Sequence, residues 1–334
     1  MKKILLTGAA GFIGSHFARK MLQMGFSLVG IDKFSDYYSP DYKIARLQSL
    51  ELTNQFEILN LDLSNFELLN NVVQSFKPDY IVHFAAQAGI RLPLERSETY
   101  VNDNILSFLN IIKSAQKNKV DGIMYASSSS VYGDDTPTPF LEKATNLNPK
   151  SFYGLTKLMN EKMAELLGDS KSLKMRGLRF FTVYGPWGRP DMAYYRLAAA
   201  AIGESNFKLF GDGTIQRDFT YIDDVVQNSF ELLIQLFNQR NGFRDVVNIG
   251  GGQPHSMNSL IEKIKHLGEI EFDIQTEKVN DLDSIITMAS DEYLTSLIGK
   301  RKFKAIDEGV KELMNWAKKP EIKPHLKEWI DSTF

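Results

Sequence analysis

The sequence predicts an α/β fold in which a doubly wound parallel sheet carries a smaller C-terminal α/β lobe. Short apolar runs alternate with amphipathic stretches of helical length over the first 180 residues. The runs are apolar throughout rather than alternating, as expected for strands that helices cover on both faces. The length of 334 residues, with 43% hydrophobic and 24% charged residues, is typical of a globular chain of roughly two domains.

The first part of the chain supplies the elements of this sheet. The predicted strands span residues 3–7, 27–32, 56–60, 80–84, 122–126 and 174–180. The predicted helices span residues 12–24, 66–76, 99–117 and 153–167. Strands joined by helices of this length imply right-handed crossovers, which make the sheet parallel.

After about residue 185 the pattern loosens into a loop rich in Pro, Gly and Trp, and shorter elements follow. The predicted helices here span residues 193–202, 224–237, 257–265 and 307–317, and the predicted strands span 207–210, 246–249 and 271–275. We expect residues 186–334 to form mainly a substrate-binding lobe, with parts of residues 205–250 returning to the main sheet. Substrate contacts commonly lie there when a doubly wound sheet holds a cofactor.

Composition argues against several classes of function. The net charge is −2 and no long run of like charges occurs, so we expect no binding to nucleic acid or to an anionic membrane. The chain has no cysteine, and its five histidines lack metal-ligand spacing, so we expect no metal site. No stretch reaches 18 apolar residues, and we expect a cytoplasmic protein.

A glycine-rich turn follows the first predicted strand and opens the first predicted helix. Gly8 permits a tight turn, Gly11 lets a phosphate approach the N–H groups at the helix N-terminus, and Gly14 lets the helix pack closely on the sheet. Phe12 and Ile13 lie in the same turn. Glycine triplets also occur in ordinary turns, but this placement between strand and helix predicts a dinucleotide site.

Further candidates follow the carboxyl ends of the next strands. Asp32 ends the second strand, where a carboxylate can accept hydrogen bonds from a ribose diol and repels a 2′-phosphate. This favours NAD over NADP, although the adjacent Lys33 weakens the preference slightly. The other candidates for this site are Asp62, Leu63, Ala85, Ala86 and Gln87. We therefore assign residues 1–185 to an NAD-binding Rossmann domain.

Tyr153 and Lys157 form a candidate catalytic pair on one face of a predicted helix. A Tyr and a Lys four positions apart are expected by chance in a chain of this composition, so the evidence is their position. Their helix follows a buried strand that ends in four serines, and Ser128 is expected near Tyr153. The ammonium of Lys157 and a positive nicotinamide would lower the pKa of the Tyr153 phenol and make it a general base.

Several motifs together resemble the extended short-chain dehydrogenase/reductase superfamily. They are Thr-Gly-Ala-Ala-Gly-Phe-Ile-Gly at 7–14, Ser-Ser-Ser-Ser-Val-Tyr-Gly at 127–133, and Tyr153-x-x-x-Lys157. Within that superfamily, residues 83–91, 177–192 and 217–224 are similar to the UDP-glucuronate 4-epimerases. The resemblance covers residues 1 to about 260 closely and the remainder loosely.

The resemblance implies a reaction without net oxidation. Tyr153 would remove the proton of the sugar 4-hydroxyl while C4 gives a hydride to tightly held NAD. The 4-keto sugar would then turn over and take the hydride back on its other face. Ser128 would orient the hydroxyl, and Lys157 would also hold the nicotinamide ribose. Asn104 and Phe180 complete the implied cofactor contacts.

Two serines favour epimerisation over related reactions. Sugar 4,6-dehydratases of the family carry Asp-Glu where this chain has Ser129 and Ser130, and related uronate decarboxylases have Glu at the position of Ser130. Elimination needs a proton donor and a base, which these serines do not provide. The resemblance therefore favours a 4-epimerase.

The resemblance also implies how a uronate would be held. Thr182 and Arg189 are the candidates for gripping the sugar carboxylate, because a guanidinium can bind a carboxylate through two parallel hydrogen bonds. Arg91 is a weaker candidate for the same role. This grip would keep the 4-keto acid from losing carbon dioxide.

The nucleotide would be bound by the later segments. Arg217, before a helix that we expect Asp223 to cap, would meet the diphosphate. Phe207 and Phe210 would lie against the uracil. The resemblance further implies a homodimer formed through helices at residues 99–118 and 152–168.

The leading interpretation is an NAD-dependent nucleotide-sugar 4-epimerase acting on UDP-glucuronate. A 4-epimerase of UDP-hexoses or UDP-N-acetylhexosamines, or a sugar-nucleotide dehydratase of the same fold, is the alternative. A non-catalytic NAD(P) sensor is a more remote one.

Overall fold

The structure, a computed structural model, describes residues 2–90, 92–168, 172–203, 206–268, 272–278 and 284–326. Its first six strands lie where the sequence predicts them. They are β1 (Lys3–Thr7), β2 (Ser27–Asp32), β3 (Glu57–Asn60), β4 (Tyr80–His83), β5 (Gly122–Ser128) and β6 (Lys174–Phe180). The later strands are β7 (Thr182–Tyr184), β8 (Phe207–Phe210), β9 (Gln216–Tyr221), β10 (Arg244–Ile249), β11 (Pro254–Ser256) and β12 (Ile274–Glu277).

One parallel sheet of seven strands organises the molecule. Its order is β10-β6-β5-β4-β1-β2-β3, so the chain starts in the middle and winds outward in both directions. This confirms the predicted doubly wound α/β fold. The smaller sheets, β11-β9-β7 and β12-β8, come from residues after β6.

The helices cover this sheet on both faces. In chain order they are α1 (Phe12–Gln23), α2 (Pro40–Ser49), α3 (Phe66–Phe76), α4 (Glu98–Tyr100), α5 (Ser107–Lys117), α6 (Phe152–Leu167), α7 (Ala193–Ala201), α8 (Ile222–Phe237), α9 (Met257–Gly268), α10 (Glu292–Ile298) and α11 (Ile306–Ala317). In the described ranges, no helix is both long enough and apolar enough to cross a membrane.

Successive strand residues enter separate cores on the two faces. Ile4 and Val82 belong to one buried cluster, whereas their neighbours Leu5 and Ile81 belong to another. Side chains alternate across a strand, so a strand that is apolar at every position buries both of its faces. This explains why these runs carry no alternation in the sequence.

Several local elements differ from those predicted from the sequence. The expected helix over residues 99–117 is interrupted by a π-helical segment, Val101–Leu106, between α4 and α5. Helix α8 begins at Ile222, so Asp223 lies in its first turn rather than capping it. The strand expected at 271–275 is observed as β12, and residue 271 lies outside the described residues.

Helix α2 was not predicted, although its start has a local signal. Pro40 occupies the first helical turn, and the Ser39 hydroxyl accepts a hydrogen bond from the Tyr42 backbone N–H over 3.4 Å. Serine before proline is typical of a helix start. This helix contacts both ends of the site described in the next section.

Candidate active site

A large cavity lies at the carboxyl ends of the parallel strands, where ligands bind in doubly wound sheets. Its volume is about 1440 Å³. One drug-sized ligand usually occupies a pocket of roughly 300–1,000 Å³. The cavity therefore has room for a dinucleotide and a second ligand side by side.

The glycine-rich turn forms the floor of one end. Gly8 leaves β1 with φ +71°, and a Cβ there would lie 2.6 Å from the Ala85 nitrogen. Gly11 is the N-cap of α1, and the next three residues line the cavity with it. Backbone thus approaches the cavity at a helix N-terminus, where a phosphate is favoured. This cradle fits a dinucleotide diphosphate.

The carboxylate at the end of β2 is held in place by the backbone. Asp32 accepts hydrogen bonds from the Ala10 N–H at 3.0 Å and the Phe34 N–H at 2.9 Å. The neighbouring Lys33 ammonium is bound by Asp103 at 2.5 Å and Asp62 at 3.3 Å. Because Lys33 is paired with two carboxylates, it does not offset the repulsion of a 2′-phosphate by Asp32. The arrangement favours NAD.

The other predicted cofactor residues line the same cavity, with one exception. Those that line it are Gly8, Gly11, Phe12, Ile13, Gly14, Asp32, Lys33, Asp62, Leu63, Ala85, Ala86, Gln87, Tyr153, Lys157 and Phe180. Asn104 is fully buried behind it. Its side chain accepts from the Gln87 N–H at 2.8 Å and donates to the Gln87 carbonyl at 3.1 Å. Asn104 therefore holds Gln87, which lines the cavity, and reaches the cofactor end through that residue.

Helix α6 places Tyr153 and Lys157 beside the end of β5. The Ser151 hydroxyl caps this helix by accepting from the Gly154 N–H at 3.0 Å. The Lys157 ammonium lies 5.8 Å from the centroid of the Tyr153 ring and donates to the Ala126 carbonyl at 3.0 Å. The predicted pair thus shares one wall of the cavity.

Burial shifts the pKa values of both groups. It lowers the pKa of Lys157 to about 8 and raises that of Tyr153 above its ordinary value. The positive charge of Arg189 and a hydrogen bond with Ser128 oppose the increase at Tyr153. The positive charge of Arg189 is therefore a contribution to the pKa of Tyr153 that the sequence did not reveal.

The four serines at the end of β5 serve two different purposes. Ser128 accepts from the Ser130 N–H at 3.1 Å and donates to the Ser130 hydroxyl at 3.2 Å, which shapes the turn beside Tyr153. Ser127 instead donates to the Glu161 carboxylate at 2.5 Å. Ser128, Ser129 and Ser130 line the cavity as predicted.

The predicted sugar and nucleotide residues come together at the opposite end. Thr182, Arg189, Phe207, Phe210 and Arg217 line the cavity, and Arg91 lies outside the described residues. Arg217 donates to the Ser284 carbonyl at 2.7 Å. The Arg189 guanidinium forms two hydrogen bonds with Asp191, from Nε at 3.0 Å and from Nη2 at 2.5 Å. Asp191 is a residue of the site that was not predicted from the sequence.

Arg46 is another residue that sequence reasoning missed. It is fully buried on α2 and donates to the Ala10 carbonyl at 2.7 Å and to the Trp187 carbonyl at 2.9 Å. Ala10 belongs to the glycine-rich turn, and Trp187 belongs to the loop that carries Arg189. Arg46 thus joins the two ends of the cavity. The start of α2 was recognisable in the sequence, but these contacts were not.

Known proteins match this chain in sequence and in fold. Residues 4–250 match the NAD dependent epimerase/dehydratase family. The chain belongs to this family. It is 35% identical over 332 residues to protein CapI of Staphylococcus aureus, covering 94% of this chain and 98% of that protein. It is 34% identical over 315 residues to a UDP-glucuronate 4-epimerase of Thermodesulfobacterium geofontis, covering 94% and 95%.

A solved structure in the family supports the assignment. UDP-glucuronic acid 4-epimerase from Bacillus cereus, in complex with UDP-glucuronic acid and NAD, matches with a TM-score of 0.86 and 31% identity, covering 95% of this chain and 99% of that one. The predicted resemblance, the predicted NAD cofactor and an enzyme of the epimerase type are thereby confirmed.

Proposed function

We propose that the protein interconverts UDP-glucuronate and UDP-galacturonate by transient oxidation at C4 of the sugar. The observation that carries this proposal is the placement of Arg189 in the same cavity as Tyr153, close enough for its charge to affect the pKa of the phenol. A cation beside the base suits a sugar that carries a carboxylate. The uronate epimerases among the relatives support the same substrate.

The chain's own residues account for the proton transfer. Tyr153 accepts the proton of the 4-hydroxyl, and Ser128 orients that hydroxyl towards it. Bound NAD supplies a reversible hydride acceptor and a positive charge that favours the phenolate. Lys157 holds the nicotinamide ribose.

Arg189 and Thr182 would hold the carboxylate of the sugar. Oxidation at C4 creates a β-keto acid, which loses carbon dioxide when its C5–C6 bond is aligned with the π orbitals of the C4 carbonyl. A carboxylate held through two hydrogen bonds cannot rotate into that alignment. Ser129 and Ser130 contribute hydroxyls rather than the carboxyl groups that elimination requires.

The nucleotide occupies the part of the cavity formed by β8 and β9. Phe207 and Phe210 lie against the uracil, and Arg217 meets the diphosphate. Both aromatic residues and Arg217 line the cavity, which supports these roles.

We also propose that the protein is cytoplasmic, because nucleotide cofactors and nucleotide sugars are made in the cytoplasm.

We further propose that the protein is a homodimer, because one face of the molecule exposes large apolar side chains. Phe152, Leu155 and Met159 are exposed along one side of α6, and Val101 is exposed at the start of the neighbouring π-helical segment. Large apolar side chains grouped on one face are typical of an interaction surface. A second copy of the chain would cover this face.

Product analysis of purified enzyme given UDP-glucuronate tests the proposed activity. We expect UDP-galacturonate as the product by NMR, and NAD bound to the protein as purified. The control is Tyr153→Phe, which we expect to keep its NAD while kcat falls by about 10²–10⁴-fold, the usual contribution of a general base.

A panel of UDP-, dTDP- and GDP-sugars separates the alternatives. Turnover of uncharged sugars alone would overturn the assignment to a uronate, and an eliminated product would indicate a dehydratase. NAD binding without turnover of any sugar would indicate a sensor.

A further inference from the structure

Asp191 engages one specific edge of the Arg189 guanidinium. The hydrogen bonds run from Nε to one carboxylate oxygen at 3.0 Å and from Nη2 to the other at 2.5 Å. The two side chains are 23% and 19% exposed, so the pair lies at the cavity wall rather than in bulk solvent. A bidentate pair in this setting restricts the orientation of the guanidinium plane.

This contact leaves the other edge of the guanidinium for a ligand. An arginine has five N–H donors in one plane, and the edge formed by Nη1 and the second Nη2 hydrogen can hold another carboxylate. Within the described part of the chain, the hydrogen bonds of the Arg189 guanidinium are those with Asp191. Asp191 therefore does not occupy the edge that a substrate carboxylate would use.

A second group fixes Asp191 from another direction. The Tyr37 hydroxyl donates to the Asp191 carboxylate at 3.2 Å. Gly89 packs closely against this chain, since a Cβ there would lie 2.5 Å from the Tyr37 hydroxyl and 3.6 Å from Arg189 Nη2. The Tyr37–Asp191–Arg189 chain is thus confined by the Gly89 backbone as well as by its own hydrogen bonds.

We propose that Asp191 is a positioning residue that orients Arg189 so that its second edge receives the carboxylate of a uronic acid. This rests on the proposed function. With Arg189 fixed, the carboxylate keeps the C5–C6 bond out of alignment with the C4 carbonyl while the 4-keto sugar turns over. A residue that fixes its partner before binding lowers the ordering cost of binding.

Loss of this positioning changes the products as well as the affinity. When the C5–C6 bond breaks, its electron pair enters the C4 carbonyl as an enolate, carbon dioxide leaves, and C5 takes up a proton. The product is a UDP-4-keto-pentose, and the hydride taken from C4 stays on the cofactor as NADH. Its fraction therefore reports how well the carboxylate is held, whereas a general loss of folded enzyme would leave this fraction unchanged.

The experiment compares Asp191→Asn with wild-type enzyme on UDP-glucuronate. We expect KM to rise about tenfold and the decarboxylated fraction to increase several-fold, with NAD content unchanged. Tyr37→Phe is the matched milder variant, since it removes one hydrogen bond to Asp191 and leaves Arg189 paired. We expect it to shift both quantities in the same direction by a smaller factor.

A double variant separates positioning from a structural effect. In an Arg189→Ala background, Asp191→Asn should cause no further rise in KM or in the decarboxylated fraction, because the group it orients is gone. Additive losses would overturn the positioning role. Unchanged KM and products in Asp191→Asn would overturn it while leaving the epimerase assignment intact. Wild-type enzyme that leaves UDP-glucuronate unchanged would overturn both.

Discussion

The two ends of the cavity are built in different ways. The cofactor end, formed by Gly8, Gly11, Gly14 and Asp32, consists largely of backbone from a few short segments at strand ends. The sugar end depends on side chains such as Arg189 and Asp191, and Asp191 is also held from a distant part of the chain. Tyr37 and Asp191, for example, are 154 positions apart. Backbone groups can bind a chemical group that many ligands share, whereas selectivity for one sugar requires side chains.

The cofactor end should lose its affinity for NAD when its backbone is displaced. A Cβ at Gly14 would overlap the carbonyl oxygen of Gly8, so Gly14→Ala pushes α1 away from the turn. We expect a loss of about 1–3 kcal/mol in the free energy of unfolding, typical of overpacking, and nearly complete loss of bound NAD. Absorbance of cofactor released from the purified protein and urea unfolding measure these effects.

Gly25→Ala is the control for this prediction. Unlike Gly14, Gly25 has a positive φ of +79°, and no atom lies within 4 Å of a Cβ placed there. It should lose stability of about 1–2 kcal/mol from backbone strain while keeping its NAD. A Gly14→Ala protein with a full complement of NAD would show that close packing of α1 is unnecessary.

Arg46 tests whether the two ends are independent. Arg46→Met leaves the buried carbonyls of Ala10 and Trp187 without their donor, and each unsatisfied group costs about 1–3 kcal/mol. We expect the free energy of unfolding to fall by about 2–4 kcal/mol, and NAD affinity and the substrate KM to worsen together. Arg46→Lys, which can reach fewer acceptors, should be intermediate. Weaker NAD binding with an unchanged KM would indicate independent ends.

The most gradual expected effect is a dependence of stability on pH at Lys157. Burial lowers its pKa to about 8, below the ordinary 10.5. Between these pH values the unfolded chain binds more protons than the folded protein. The stability of the folded state therefore rises with pH across this window, by at most about 1.4 kcal/mol per pH unit.

Lys157→Met isolates this contribution, because methionine fills similar space without titrating. In protein stripped of NAD, the variant should be more stable than wild type at pH 7, and the difference should shrink as the pH rises above 8. Urea unfolding at several pH values measures it. A constant difference would mean that the Lys157 ammonium is not desolvated.

The sequence predictions were accurate for elements that local patterns define and wrong for elements that depend on distant contacts. Helix α3 and strand β6 lie at the predicted residues because apolar periodicity and local turn signals define such elements. The π-helical segment at Val101–Leu106 was missed because Asn104 in that segment bonds to Gln87 on another strand's loop. Helix α2 was not predicted, although Ser39 and Pro40 are typical of a helix start.

The sequence alone determined the order of the main strands, the glycine-rich turn and the carboxylate at Asp32. Each depends on the conformational preferences of residues that are neighbours in the chain. Only the tertiary structure decided that Arg46 joins the two ends, that Tyr37 holds Asp191 beside Arg189, and that burial shifts the pKa of Lys157. These facts require segments such as α2 and the loop around Trp187, 141 positions from Arg46, to pack together. Contact and desolvation depend on that packing, which no local pattern encodes.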